Sequence, residues 1–245
     1  MARDHSKFSF ERGKRPCRKQ GQCIIFVEGR NTEDSYIKLL KKTCCKVIPV
    51  VQRGHGIASC VDFVNEAEKK FLSFPRNKRD DYEEMWVVFD YDGHEDFREA
   101  VLLAREKGFK VAFSSMCIEY WFLLHFENHD GAPIPMYGQS HSMAQIKLLN
   151  NHIRKYNKGA KTPVKEYDSG SKCVQEDFFD LMFAVNPETH NRRIEDAFNR
   201  AFAIHQRKLS NGAETQESVT SIYQLLISLG LFVKDKAGNY VLSWN

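Results

Sequence analysis

One pattern, repeated between residues 23 and 119, limits what this chain can fold into: a short apolar run, a charged residue at or just past its end, then a helical stretch. CIIFV (Cys23–Val27) runs into Glu28 and MWVVF (Met85–Phe89) into Asp90 and Asp92, while FKVAFSS (Phe109–Ser115) is followed by Glu119. Runs of this length, apolar at nearly every position, are expected of strands covered on both faces. KVIPVV (Lys46–Val51) adds a strand that Pro49 restricts to an edge or a short piece. Between the strands, the stretch after Glu28 carries Thr32 as N-cap, Glu33 and Asp34 in the first turn, and Tyr36, Leu39 and Leu40 on one face. Ser59 caps a second helix with Cys60, Val64, Ala67 and Phe71 on its inner face, and a third carries Phe97, Val101 and Ala104 before Gly108. Strand–helix alternation of this kind predicts an α/β fold, a parallel sheet flanked by helices.

Beyond about residue 130 the strand signal fades. IEYWFLLHFE, 144–156, 175–184, 190–209 and 216–229 read as helices, and LFVKDKAGNYVLSW as a hairpin. The expected organisation is a basic tail over 1–20, an α/β domain over 21–130 and a mainly helical C-terminal region over 131–245. The tail holds seven basic and two acidic residues, a net +5 against +4 for the whole chain, so the rest sums to −1. Arg15, Arg18 and Lys19 sit where a phosphate backbone would be gripped without sequence preference; a solvated linker is the plainer reading. The seven cysteines form no C-x-x-C pair, so neither a disulfide framework nor a zinc finger is suggested. No apolar run approaches the ~20 residues of a membrane span, and no signal peptide follows the basic start, so a cytoplasmic protein is expected.

The carboxylates carry the chemistry. In open parallel sheets ligands bind beyond the carboxyl ends of the strands. Glu28, Asp90, Asp92 and Glu119 all fall near such ends, and Glu33 lies in the first helical turn. Alternate residues of an extended segment share a face, so Asp90 and Asp92 point the same way. Crowded carboxylates repel, and a hard cation such as Mg²⁺ or Mn²⁺ compensates them while keeping waters for a phosphate substrate. D-x-D-G is also an ordinary acidic turn. An EF-hand is excluded by His94 and Glu95, which stand where an Asp or Asn and the invariant Gly would be needed. A haloacid-dehalogenase-type phosphatase, with Asp90 as nucleophile and Asp92 as acid, remains an alternative, although it expects Thr or Val in place of His94. His94 is placed to orient a ligand or to bond backbone in its turn.

Taken in order, FVEGRNTE, VVFDYDGH and SSMCIEYWFLLHF resemble the RloB-like family, and Glu28-Gly29 with the later D-x-D resembles a Toprim domain, the module of topoisomerases, primases and OLD-type nucleases. The likeness is strongest over 21–127. Ser115 and Met116 depart from the family's Asn-Pro, Ile118 from its Phe, and a Tyr-x-Lys pattern is met here only by Tyr167 with Lys172. The resemblance implies a Toprim-like fold and a metal-dependent nuclease of bacterial antiphage defence, acting on DNA or RNA, with tRNA a candidate. Glu28, Asp90 and Asp92 would be catalytic, Glu28, Glu33, Asp90, Asp92 and Glu119 metal ligands, and His94, Lys172, Arg15, Arg18 and Lys19 substrate contacts. Partners implied are nucleic acid and an ATPase or restriction–modification protein encoded nearby, with a homo-oligomer left open. The competing class is a non-catalytic nucleotide-binding sensor or adaptor.

Overall fold

The computed structural model describes residues 22–29, 31–43, 50–53, 59–91, 93–214 and 218–243, the backbone alone for 43 and 50–53. Four strands make one parallel sheet: β1 (Gln22–Val27), β2 (Val50–Arg53), β3 (Tyr82–Asp90) and β4 (Lys110–Ser114), in the order β2-β1-β3-β4. The first and third runs fall where the apolar pattern places them. The strand expected over 46–51 starts outside the described residues, and the observed β2 continues to Arg53.

The order of the strands positions the site. From β1 the chain crosses through α1 (Thr32–Thr43) to β2 on one side. It then returns through α2 (Cys60–Ser73) and the single turn α3 (Arg76–Arg79) to β3 on the other side of β1. The winding direction reverses between β1 and β3, and such a reversal opens a crevice at the carboxyl ends of the two strands. Register brings those ends level: Val27 pairs with Val88, and Glu28 N–H donates to Val88 O at 3.0 Å. Asp90 closes β3 opposite Ser114 of β4.

α4 (Phe97–Glu106) leads into β4, and α5 (Glu119–Leu123) follows it. α5 is shorter than its apolar sequence suggests, because from Leu124 the chain continues in tighter turns, His125 N–H donating to Phe122 O and Phe126 N–H to Leu123 O. α6 (His141–Asn157), α7 (Glu176–Phe183) and α8 (Arg193–Ser210) match the expected helices to within a few residues. The helix expected over 216–229 is reduced to α9 (Ile222–Ser228). The chain just before it lies extended along β4: Ser115 N–H donates to Val219 O, and Ser221 N–H to Phe113 O, both at 2.8 Å. The β-branched and hydroxyl residues Ser218–Ser221 serve the free backbone groups of an edge strand better than they would extend a helix. β5 (Phe232–Lys234) and β6 (Tyr240–Leu242) form the expected antiparallel hairpin.

A continuous cluster of buried side chains runs from Cys23 in β1 to Phe232 in β5. At the join between sheet and helices, Phe122 sits edge-on to Tyr36 of α1 at 5.4 Å and to Phe178 of α7 at 5.8 Å, while Trp121 Nε1–H donates to Tyr36 OH at 2.8 Å. His125, fully buried, contacts Trp121 O through Nδ1 at 2.9 Å, and burial first of all holds its pKa down near 3, as befits a packing histidine. Phe122 is 0% exposed and borders α1, α5 and α7 together, so Phe122→Ala is expected to lower the unfolding free energy by about 3–5 kcal/mol, read by urea denaturation.

Candidate active site

Glu28, Gly29, Asn31, Thr32 and Glu33 from the β1–α1 connection line a cavity of about 260 Å³ together with Asp90 at the end of β3, Cys117, Ile118 and Glu119 after β4, Ser142 and Lys172. The cavity occupies the crevice that the strand order predicts. Four of the carboxylates expected to form a site, Glu28, Glu33, Asp90 and Glu119, therefore meet although 91 positions separate the first from the last in sequence. Asp92 lies outside the described residues, as do Arg15, Arg18 and Lys19.

Each carboxylate is held by its own element. Asp90 Oδ2 accepts the Ile118 N–H at 2.8 Å, so the loop after β4 folds over the end of β3. Glu119, 2% exposed, accepts Ser142 Oγ–H from the start of α6 at 3.2 Å. Glu33 lies against Gly29, where a Cβ would land on its carboxylate; the glycine of FVEG thus provides the space its partner four residues on occupies. Thr32, expected only as a helix cap, is 5% exposed and places its hydroxyl 2.7 Å from the Lys172 carbonyl, with Tyr167 OH 3.1 Å from the same oxygen. Those two hydroxyls fasten the 168–173 loop to the start of α1. Lys172 has φ +50, an unusual conformation for a residue with a Cβ, and the loop holds it at the cavity rather than on open surface.

The electrostatics follow from this crowding. Burial, and then the charges of Glu119 and Glu28, push Glu33 from an ordinary 4.5 up to about 7, against the pull of its own backbone N–H and a hydrogen bond with Asp90. Asp90 is held well above the carboxylate range by burial, then by Glu33 and Glu119. The same field, after burial, raises Cys117 and Tyr167. Raised pKa values of this kind are what crowded, buried carboxylates show where neighbouring negative charge opposes ionisation. Every carboxylate lining the cavity offers hard oxygen donors, and the donor set fits Mg²⁺ or Mn²⁺.

His94, on the turn after β3, stands apart from this set and beside Glu28 and Cys60, one ligand atom of each lying within 4.8 Å of the others. Sequence reasoning missed Cys60, Ser142 and the anchoring role of Thr32. Hydroxyl and thiol groups carry no periodicity, and only the tertiary fold brings them to the carboxylates.

The model of the RloB-like protein family matches residues 23–229, and the chain belongs to that family. Neither a curated protein nor a solved structure matches it. Among the described residues, no helix is long and apolar enough to cross a membrane.

An acid whose pKa is raised on folding binds more protons folded than unfolded, so stability falls as pH rises between the two values. For Glu33 that window runs from 4.5 to about 7. In chelator the melting temperature is expected to fall between pH about 5 and about 7.5, and Mg²⁺ is expected to restore it most at the upper end; Glu33→Gln should flatten the profile.

Proposed function

We propose that the chain is a Toprim-type, metal-dependent nuclease that cleaves phosphodiester bonds in DNA or RNA, acting as an effector of bacterial antiphage defence. The observation that carries this reading is the convergence of Glu28, Glu33, Asp90 and Glu119 on one cavity at the switch point between β1 and β3. Glu28, Glu33, Asp90 and Glu119, with Asp92, would hold Mg²⁺ or Mn²⁺. Such an ion, when bound, supplies charge stabilisation to the attacking and leaving oxygens of the phosphate.

The chain's own groups have separate tasks. Glu28, half-buried just past the end of β1, has two carboxylate oxygens, so it would hold the ion with one and accept the proton of the attacking water with the other. Asp90, oriented by the Ile118 N–H, lines the cavity. Lys172, held by its carbonyl, presents an ammonium to a phosphate non-bridging oxygen and offsets part of the negative field that would otherwise repel a polyanion. Burial of Glu33 and Glu119 keeps their carboxylates from swinging into solvent. The basic tail, with Arg15, Arg18 and Lys19, adds sequence-independent grip. Nucleic acid is the partner this assigns, and an ATPase or restriction–modification protein encoded nearby the expected companion. The phosphatase alternative makes no demand on Glu28, Glu33 or Glu119, yet all three line the cavity with Asp90, which favours the nuclease reading.

The test is cleavage of plasmid DNA, single-stranded DNA and tRNA by purified protein, in chelator and with Mg²⁺ or Mn²⁺. Cleavage is expected only with the cation. Asp90→Asn and Glu28→Gln should each lower it by about 10³-fold or more, and the double variant should be little worse than either, as for groups acting as one unit. Wild-type cleavage by Asp90→Asn, or release of phosphate from small monoesters through an aspartyl-phosphate at Asp90, would overturn the assignment.

A further inference from the structure

We propose a second cation site beside the carboxylate cavity, in which Glu28, Cys60 and His94 bind a transition ion of the Zn²⁺ class. One ligand atom of each residue lies within 4.8 Å of the other two. Zn–ligand bonds of about 2.0–2.3 Å set tetrahedral ligands roughly 3.5 Å apart, so small side-chain rotations close the set. Apart from Glu28, which the two sites share, the donors differ in kind from those of the cavity. A thiolate, an imidazole and one carboxylate suit Zn²⁺, Co²⁺ or Ni²⁺ and are a poor match for Mg²⁺, whereas Glu33, Asp90 and Glu119 present oxygen alone. Three protein ligands leave a fourth position for water.

The site is also preorganised. Cys60 is the first residue of α2 and fully buried, and the amino end of that helix favours an anionic ligand. The loop carrying His94 is tied to the same helix end, because Asp96 accepts the backbone N–H of Cys60 at 3.3 Å and of Val61 at 2.8 Å. The turn itself is fixed by His94 N–H donating to Tyr91 O at 2.8 Å, with Gly93 at φ +84 supplying the reversal. Imidazole and thiol are therefore held together by backbone, with Glu28 reaching them from the end of β1. Cys60 Sγ lies 3.7 Å from the Asp90 carbonyl, to which the thiol donates; binding an ion exchanges that contact for a metal–sulfur bond and releases the thiol proton to solvent.

The test needs no activity and stands whether or not the chain cleaves nucleic acid. Full-length protein is stripped with chelator and titrated with Co²⁺, whose bond to a cysteine sulfur gives a near-ultraviolet charge-transfer absorption. The wild type should develop this band, and Mg²⁺ in large excess should not remove it, while Zn²⁺ should. Cys60→Ser should abolish the band, and His94→Ala should weaken Co²⁺ binding by at least about 100-fold, the upper end of what losing an outer-shell partner costs. His94 is half-exposed on a turn, so His94→Ala decides the matter if Cys60→Ser does not fold. No sulfur band in the wild type, or an undiminished band in either folded variant, would overturn the proposal.

Discussion

Glu33 and Asp90 stand in one buried crevice that raises both of their pKa values, Glu33 to about 7 and Asp90 well above its usual range, because each loses water and faces neighbouring carboxylates. Four carboxyl groups around about 260 Å³ cost stability that a folded chain has no structural reason to give up. The surrounding structure enforces the arrangement nonetheless. The Ile118 N–H fixes Asp90, Ser142 fixes Glu119, and the missing side chain of Gly29 leaves room for Glu33. On the function proposed above, a hard cation would resolve the same conflict by replacing a proton.

The sheet makes the conflict unavoidable. Because β1 and β3 are neighbours running in the same direction, the residues that follow them must lie side by side, and the reversal of winding keeps any helix from covering the gap. The C-terminal half then completes the site. α6 brings Ser142 to Glu119, and the 168–173 loop, clasped through Thr32 and Tyr167, sets Lys172 at the margin. The aromatic contacts of Phe122 and Trp121 with Tyr36 hold α1 and α5 in place, so the two acidic walls keep a fixed spacing.

Much of this was legible in the chain. Cys23–Val27 and Met85–Phe89 read as buried strands because apolar residues filled nearly every position, and the carboxylates at their ends were conspicuous for the same reason. Glu33 was found through the local logic of a helix start and Glu119 by its place just beyond a strand end, and both line the cavity. What failed to show depended on long-range pairing. Ser218–Ser221 looked like the beginning of a helix because nothing local reveals that β4 has an edge to be covered. That Glu28 and Asp90 share a site was expected from the family resemblance and the strand-end rule, whereas the reversal of winding that brings them together was not read from the chain. Cys60 read as a helix core residue, and only the Asp96 tie between two loops sets it against His94. Lys172 was named as a substrate contact only through the family resemblance, since nothing local shows that its loop is fastened to α1 by Thr32 and Tyr167.

The central claim is that a divalent cation takes the place of a proton in the crevice of Glu33 and Asp90. Its most direct measurement is the number of protons released when Mg²⁺ binds the apoprotein near pH 7, obtained by calorimetric titration in two buffers of different ionisation enthalpy. The account predicts net release, approaching one proton per ion bound and shrinking as the starting pH is raised well above 7, since Glu33 titrates near there. Binding without proton release at neutral pH, or no binding at all, would contradict it.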